Sequence, residues 1–163
     1  RDVQLVYVRG FGECQASRWV ADAERLAGLM SRIDCRGGHT QIGKVMTHTL
    51  RETIAKKVDA LVYVGDCMEE NVDYLCAKAG ELGLKGVPVF IFQEGYEPIA
   101  EQAFREIARL TRGAYCRFDT GASDQLRELL SAVAVYAAGG HKALTNLSAN
   151  RSGAKLLLEQ MKS

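Results

Sequence analysis

Three stretches of this chain repeat one grammar: a short apolar run, a loop carrying Gly or an acid, then an amphipathic helical pattern. Leu61 to Gly65 leads to a helix near Asn71 to Leu84, Val87 to Phe92 to one near Glu97 to Thr111, and Ala114 to Phe118 to one near Ser123 to Ala138. The runs start about 26 residues apart, room for a strand and a helical crossover, and such crossovers are right-handed. Leu-Val-Tyr-Val and Val-Pro-Val-Phe-Ile-Phe are apolar on both faces, as parallel strands covered by helices on either side must be. The expected fold class is α/β with a mostly parallel sheet. Ile42, Val45, Met46, Leu50, Ile54 and Val58 step by three or four, as do Val72, Leu75, Cys76, Ala79 and Leu82, so both stripes are expected to be core. Gly83, Gly86 and Gly113 fall where helices must stop, the usual place for a left-handed residue.

Upstream, Val3 to Val8 reads as a further buried strand that Gly10-Phe11-Gly12 turns into a more polar run, Glu13 to Val20. This predicts an antiparallel hairpin at the edge of the sheet. A helix from Ala21 to Ile33, with Leu26, Leu29, Met30 and Ile33 on one face, then leads into Cys35-Arg36-Gly37-Gly38-His39-Thr40. At the other end, Gly139-Gly140 separates a segment with Lys142, Arg151, Lys155 and Lys162 against Glu159 alone. The organisation read from this is a domain over residues 1–140 and a basic tail over 141–163. Leu156, Leu157, Leu158 and Met161 could dock that tail as a short helix on the domain or on a partner.

The 163 residues suffice for one compact domain, and 47% hydrophobic with 25% charged residues excludes a disordered or collagen-like chain. Lys and Arg number 21 against 20 Asp and Glu, a net charge of +1, which leaves no field to hold nucleic acid or an anionic membrane. The 5 cysteines form no CxxC pair, which excludes a zinc ribbon or thioredoxin-like motif and fits a reducing cytoplasm. No apolar run approaches the roughly 18 residues that span a bilayer. The first residue is Arg1, which predicts a processed chain or a piece of a longer one.

In an open parallel sheet, ligands bind beyond the carboxyl ends of the strands. Two segments converge there: Gly37-Gly38-His39-Thr40-Gln41-Ile42-Gly43, with a hydroxyl at the mouth of a helix, and Gly65-Asp66-Cys67-Met68-Glu69-Glu70, where a strand ends on a carboxylate. A hydroxyl and a carboxylate suit a hard cation such as Mg2+ better than zinc. Each residue also has a purely structural reading. Thr40 suits a helix N-cap, Asp66 a turn that accepts backbone N–H groups, and Glu69 and Glu70 a solvated first turn complementing a helix dipole. His39 reads as a loop side chain, and His48 as facing solvent or the helix edge.

The order of these pieces resembles a von Willebrand factor type A (VWA) domain: strand and hairpin, helix, Gly-Gly-His-Thr-Gln-Ile-Gly opening a helix, an apolar strand ending in Gly-Asp, then Gly-Val-Pro-Val-Phe. The likeness runs from about Val3 to Ala138 and is most specific at Gly38 to Gly43 and Val62 to Asp66. Thr-Gln-Ile-Gly-Lys-Val and Phe-Arg-Glu-Ile-Ala-Arg-Leu-Thr-Arg-Gly-Ala-Tyr-Cys look most like bacterial VWA proteins of unassigned function. The resemblance implies a Rossmann-like three-layer α/β/α fold with a metal-ion-dependent adhesion site (MIDAS). It makes Thr40 and Asp66 the metal ligands, with Gly38, His39 and Glu69 facing the partner. Two features depart from the family. Cys67 stands where the family often has Gly, and nothing matches its Asp-x-Ser-x-Ser motif, which predicts that the first strand and helix lie upstream. The central gap this leaves would be filled by that upstream segment, by a second copy exchanging an element, or by a different strand order.

The function expected first is a non-enzymatic binding or scaffold module in the cytoplasm, whose Mg2+ site engages an acidic group of a partner protein. Two alternatives stand beside it. A cysteine hydrolase would use Cys67 as nucleophile with His39 and Asp66, although no Gly-x-Cys-x-Gly elbow surrounds the cysteine. A nucleotide-binding Rossmann-like domain would need a phosphate cradle, and neither GxGxxG nor GxxxxGK[ST] occurs.

Overall fold

The computed structural model of the chain describes residues 3–4, 6–9, 13–21 and 40–161. Strands β1 (Val6–Arg9) and β2 (Glu13–Ala16) pair antiparallel, extended by a bridge between Val3 and Val20. Then follow α1 (Ile42–Ala55), β3 (Leu61–Gly65), α2 (Val72–Leu84), β4 (Val89–Glu94), α3 (Pro98–Thr111), β5 (Ala114–Phe118), α4 (Ser123–Ser148) and α5 (Ser152–Met161). The sheet β3-β4-β5 is parallel throughout, with Tyr63 opposite Ile91 and Ile91 opposite Tyr115.

Strand alternation divides the core in two. Val89, Ile91 and Tyr115 point to one face, where they meet Ile42 and Met46 of α1, Leu75, Ala79 and Leu82 of α2, and Phe104 and Ile107 of α3. Phe90, Phe92, Cys116 and Phe118 point to the other, against Leu129 and Val133 of α4 and Ala154, Leu157 and Leu158 of α5. The result is a Rossmann-like three-layer α/β/α arrangement. Helices α2 and α3 share one face because consecutive right-handed crossovers along a sheet that grows in one direction must return on the same side, and α1 packs on that face beside them.

Several expectations change in detail. The antiparallel pair is not an edge of the parallel sheet: among the described residues, β1-β2 and β3-β4-β5 are two separate sheets. The hairpin is tied to α1 instead, where Gln4 Nε2 donates to Glu52 Oε1 at 3.2 Å and His48 Nε2 lies 2.8 Å from Gln4 Oε1. His48 is thus partly buried against the hairpin and not simply solvated. The apolar stripes hold except at one position each. Ile54 is 78% exposed in the last turn of α1, and Val72, the first residue of α2, is 40% exposed. The helix expected from Ala21 to Ile33, together with Cys35, Gly37, Gly38 and His39, lies outside the described residues.

The three glycines at helix ends also divide by role. Gly86 has a φ of 73° and makes the left-handed turn into β4. Gly83 and Gly113 serve close approach: a Cβ on Gly83 would strike the Leu110 carbonyl, and one on Gly113 the Val89 carbonyl. The left-handed residue that ends α3 is Arg112, with a φ of 59°.

The basic segment after Ala138 is helical and packed. Gly140, with φ 74° and ψ −166°, breaks α4 in the place the Gly-Gly pair marks, and the chain then folds back so that α5 completes the second helical layer. Among the described residues, no helix is long and apolar enough to cross a membrane.

Candidate functional site

The carboxyl edge of the sheet is built by three turns, and most of their polar groups are committed to holding one another. Glu70, in the loop after β3, reaches back to the start of α1, where its carboxylate accepts the N–H of Ile42 at 2.6 Å and of Gly43 at 3.0 Å. An α-helix leaves its first amides unpaired, and here a carboxylate 27 and 28 residues further along the chain takes two of them. Glycine at 43 leaves space for the Tyr74 ring, which a Cβ there would strike.

Helices α2 and α3 are capped locally. Asn71 Oδ1 accepts the Tyr74 N–H at 2.9 Å to start α2. Glu97 does the same for α3, accepting from Ile99 at 3.2 Å and Ala100 at 2.6 Å, with Pro98 pre-set for the first helical position. Thr40 is not an N-cap. That position belongs to Gln41, whose side chain makes no capping bond, and Thr40 Oγ1 instead accepts the Glu69 N–H at 3.1 Å. The Thr40 hydroxyl therefore touches the loop that Asp66 begins. Glu69 and Glu70 precede α2, so the dipole that Glu70 complements is that of α1.

The structure thus brings Thr40, Asp66 and Glu69 to one edge, with Asp66 and Glu69 exposed. Gly38 and His39, the other residues expected to face a partner, lie outside the described residues. Sequence reasoning passed over Glu97 and Gln93. Glu-Pro at 97 and 98 is a cap signal, and Gln93 is the polar residue that ends the apolar run of β4.

The acids leave an electrostatic mark on their neighbours. Burial, a hydrogen bond to Asp66, and the charges of Asp66, Glu69 and Glu97 together push the Cys67 thiol up to about 11. Burial, then Glu70, Cys67 and Asp66, likewise raise the phenol of Tyr63. Cys67 Sγ lies 3.9 Å from Glu69 Oε1. A cysteine in such surroundings is a thiol at neutral pH, whereas the nucleophile of a hydrolase is a thiolate. Iodoacetamide should label Cys67 more slowly than a free cysteine at pH 7.5, with the rate still climbing near pH 10; labelling half-maximal near pH 8 would contradict the acidic field.

The loop after β4 and the helices α2 and α3 also expose apolar and aromatic groups. Tyr96 is 65% exposed, donates to Asp119 Oδ1 at 3.2 Å and carries the Arg117 guanidinium 3.9 Å from its ring centre. Val72, Ile99, Gln102, Ala103 and Glu106 line an open groove of about 320 Å³ between the start of α2 and the first turns of α3.

Thr40 and Asp66 offer a hydroxyl and a carboxylate, hard oxygen donors of the kind Mg2+ takes. Among the described residues, no group of three or more His, Cys, Asp and Glu converges on one point. The pair fits a hard cation in kind, and Mg2+ characteristically keeps several waters while taking only one or two protein carboxylates.

Comparison with protein-family models, with curated proteins and with solved structures finds no match for this chain. The class that the fold defines is a Rossmann-like α/β/α domain.

Proposed function

We propose that this chain is a non-enzymatic binding module that engages a partner protein at the carboxyl edge of its sheet, with Mg2+ between Thr40, Asp66 and an acidic group of the partner. The observation that carries the reading is the negative charge of exposed Asp66 and Glu69 at that edge, beside the Thr40 hydroxyl that accepts the Glu69 N–H. A field of that sign draws in a cation and repels a bare carboxylate, so an acidic partner docks there only across a bound metal. Mg2+ held by Thr40 and Asp66 supplies the positive charge that the edge lacks. Exposed Tyr96, Ile99 and Val72 supply apolar contact area around it.

The same arrangement disfavours the alternatives. Glu70 and Glu97 fill the amino ends of α1 and α3, the positions where a nucleotide phosphate would be received, and two anions do not share one helix terminus. The Cys67 thiol is held in its unreactive form.

The test is thermal unfolding of the protein with Mg2+ and after chelation. Mg2+ should raise the melting temperature by about 2 to 4 °C near saturation, from mass action on the folded state. Asp66→Ala and Thr40→Ala should each abolish most of that rise; Asp66→Ala should change the metal-free melting temperature little, while Thr40→Ala, which also loses the bond from the Glu69 N–H, is read against its own metal-free value. A wild-type protein whose unfolding is indifferent to Mg2+ would overturn the metal-dependent reading.

A further inference from the structure

Gln93 is a polar side chain at the end of the central strand, with no exposed surface. Its amide is fully engaged: Oε1 accepts the Tyr115 hydroxyl at 2.6 Å, and Nε2 donates to the Glu97 carbonyl at 3.0 Å and to the Asp66 carbonyl at 3.5 Å. These partners come from two loops and the neighbouring strand. Asp66 follows β3, Glu97 precedes α3, and Tyr115 lies on β5. The Tyr115 ring is itself fixed from the outside, with the Arg105 guanidinium 4.4 Å from its centre.

A buried amide on a core strand is costly unless each of its groups is paired, and a leucine or methionine would fill the same space without that requirement. What the amide adds is direction. It clamps two loop carbonyls to one rigid strand, and those loops carry Asp66 and Glu69 on one side and Tyr96 on the other. We propose that Gln93, held by Tyr115, is the positioning residue of the carboxyl edge, fixing the spacing between the two loops that form the binding face. As a statement about function this rests on the reading of that edge as the binding face.

The clamp is tested without metal or partner, by residue-resolved amide hydrogen exchange in wild type, Gln93→Met and Tyr115→Phe. The reporters are the Glu69 N–H, bonded to Thr40, and the Ile99 and Ala100 N–H groups, bonded to Glu97. Core amides of β4 and α3 serve as the internal reference.

In Gln93→Met the reporters should exchange roughly fivefold faster or more, beyond any change in the core reference, the factor set by one lost hydrogen bond. Tyr115→Phe, which keeps the ring under Arg105, should shift the same amides by less and secures the test if the first variant folds poorly. Exchange that rises uniformly with the core would show a merely structural role, and unchanged reporters would show no clamp; either overturns the proposal. Accelerated reporters in a protein that ignores Mg2+ would keep the clamp and retire the metal site, so the two claims fail separately.

Discussion

Leu157→Ala should lower folding stability by about 3 kcal/mol, the usual cost of removing a buried leucine and leaving part of the cavity behind. Leu157 has no exposed surface and packs in the cluster that holds Phe90, Phe92, Phe118 and Leu129. The packing is close on the backbone side as well, since a Cβ on Gly153 would lie 2.8 Å from the carbonyl carbon of Glu128. The loss should appear in urea unfolding as a lower midpoint with an unchanged slope. Leu156→Ala, at a partly buried position, should cost about 1 kcal/mol by the same scale. Equal and negligible effects would mean that α5 is not part of the core, which would leave α4 alone on the sheet's aromatic face.

Glu70→Ala should cost about 2 kcal/mol, because hydrogen bonds to a charged group are worth roughly 1.5 to 3 kcal/mol and this carboxylate serves two backbone donors. Two links fail together: α1 loses its cap, and the loop after β3 loses its anchor on that helix. Glu70→Gln should recover part of the loss, since its carbonyl oxygen still accepts one N–H without the charge. Glu69→Ala is the control. Its side chain is exposed, so removal should fall within about 0.5 kcal/mol of wild type. If the two glutamates prove interchangeable in chemical unfolding, the clamp on α1 contributes nothing in solution.

The contrast between these neighbouring acids shows what could be read before the structure. The repeating strand and helix pattern predicted β3, β4 and β5 within a residue or two, because continuous apolar runs have few homes other than a covered parallel strand. The break at Gly140 was equally legible in Gly139-Gly140. Glu70 was not: a pair of acids before a helix reads as a solvated first turn, and nothing local says that one of them caps a helix begun 28 residues earlier. Thr40 misled for the complementary reason. Its position suits an N-cap, but once the Glu70 carboxylate holds the amides of Ile42 and Gly43, the hydroxyl is left to meet the Glu69 N–H.

Edges of elements were similarly illegible. Ile54 and Val72 continue a helical stripe in sequence, yet each lies in a terminal turn of its helix and is exposed. Periodicity reports the direction of a face and carries no information on where the opposing surface stops. The hairpin shows the same limit at the level of strands. Its own pairing followed from Gly10 to Gly12, but its separation from β3-β4-β5 depends on which strand lies beside which, and that is a property of the whole fold.

Glu97 and Gln93 were in view and passed over. A carboxylate directly before Pro98 is the pattern of a helix start, and the one polar side chain ending Val89 to Gln93 signals a buried hydrogen-bonding task. Neither pattern names a ligand. Both matter because the loops they hold are the ones that carry Asp66, Glu69 and Tyr96.

If the carboxyl edge takes a divalent cation through Thr40 and Asp66 as proposed, a residue-resolved NMR titration with Mg2+ will show it at those two positions. The amides of Thr40 and of Asp66 to Glu69 should shift saturably by about 10 mM Mg2+, within the range where weak oxygen-ligand sites fill. Asp66→Ala should remove those shifts and leave the core amides where they were. Resonances of Thr40 and Asp66 that stay fixed throughout the titration, or shifts confined to other acidic surfaces, would contradict the account.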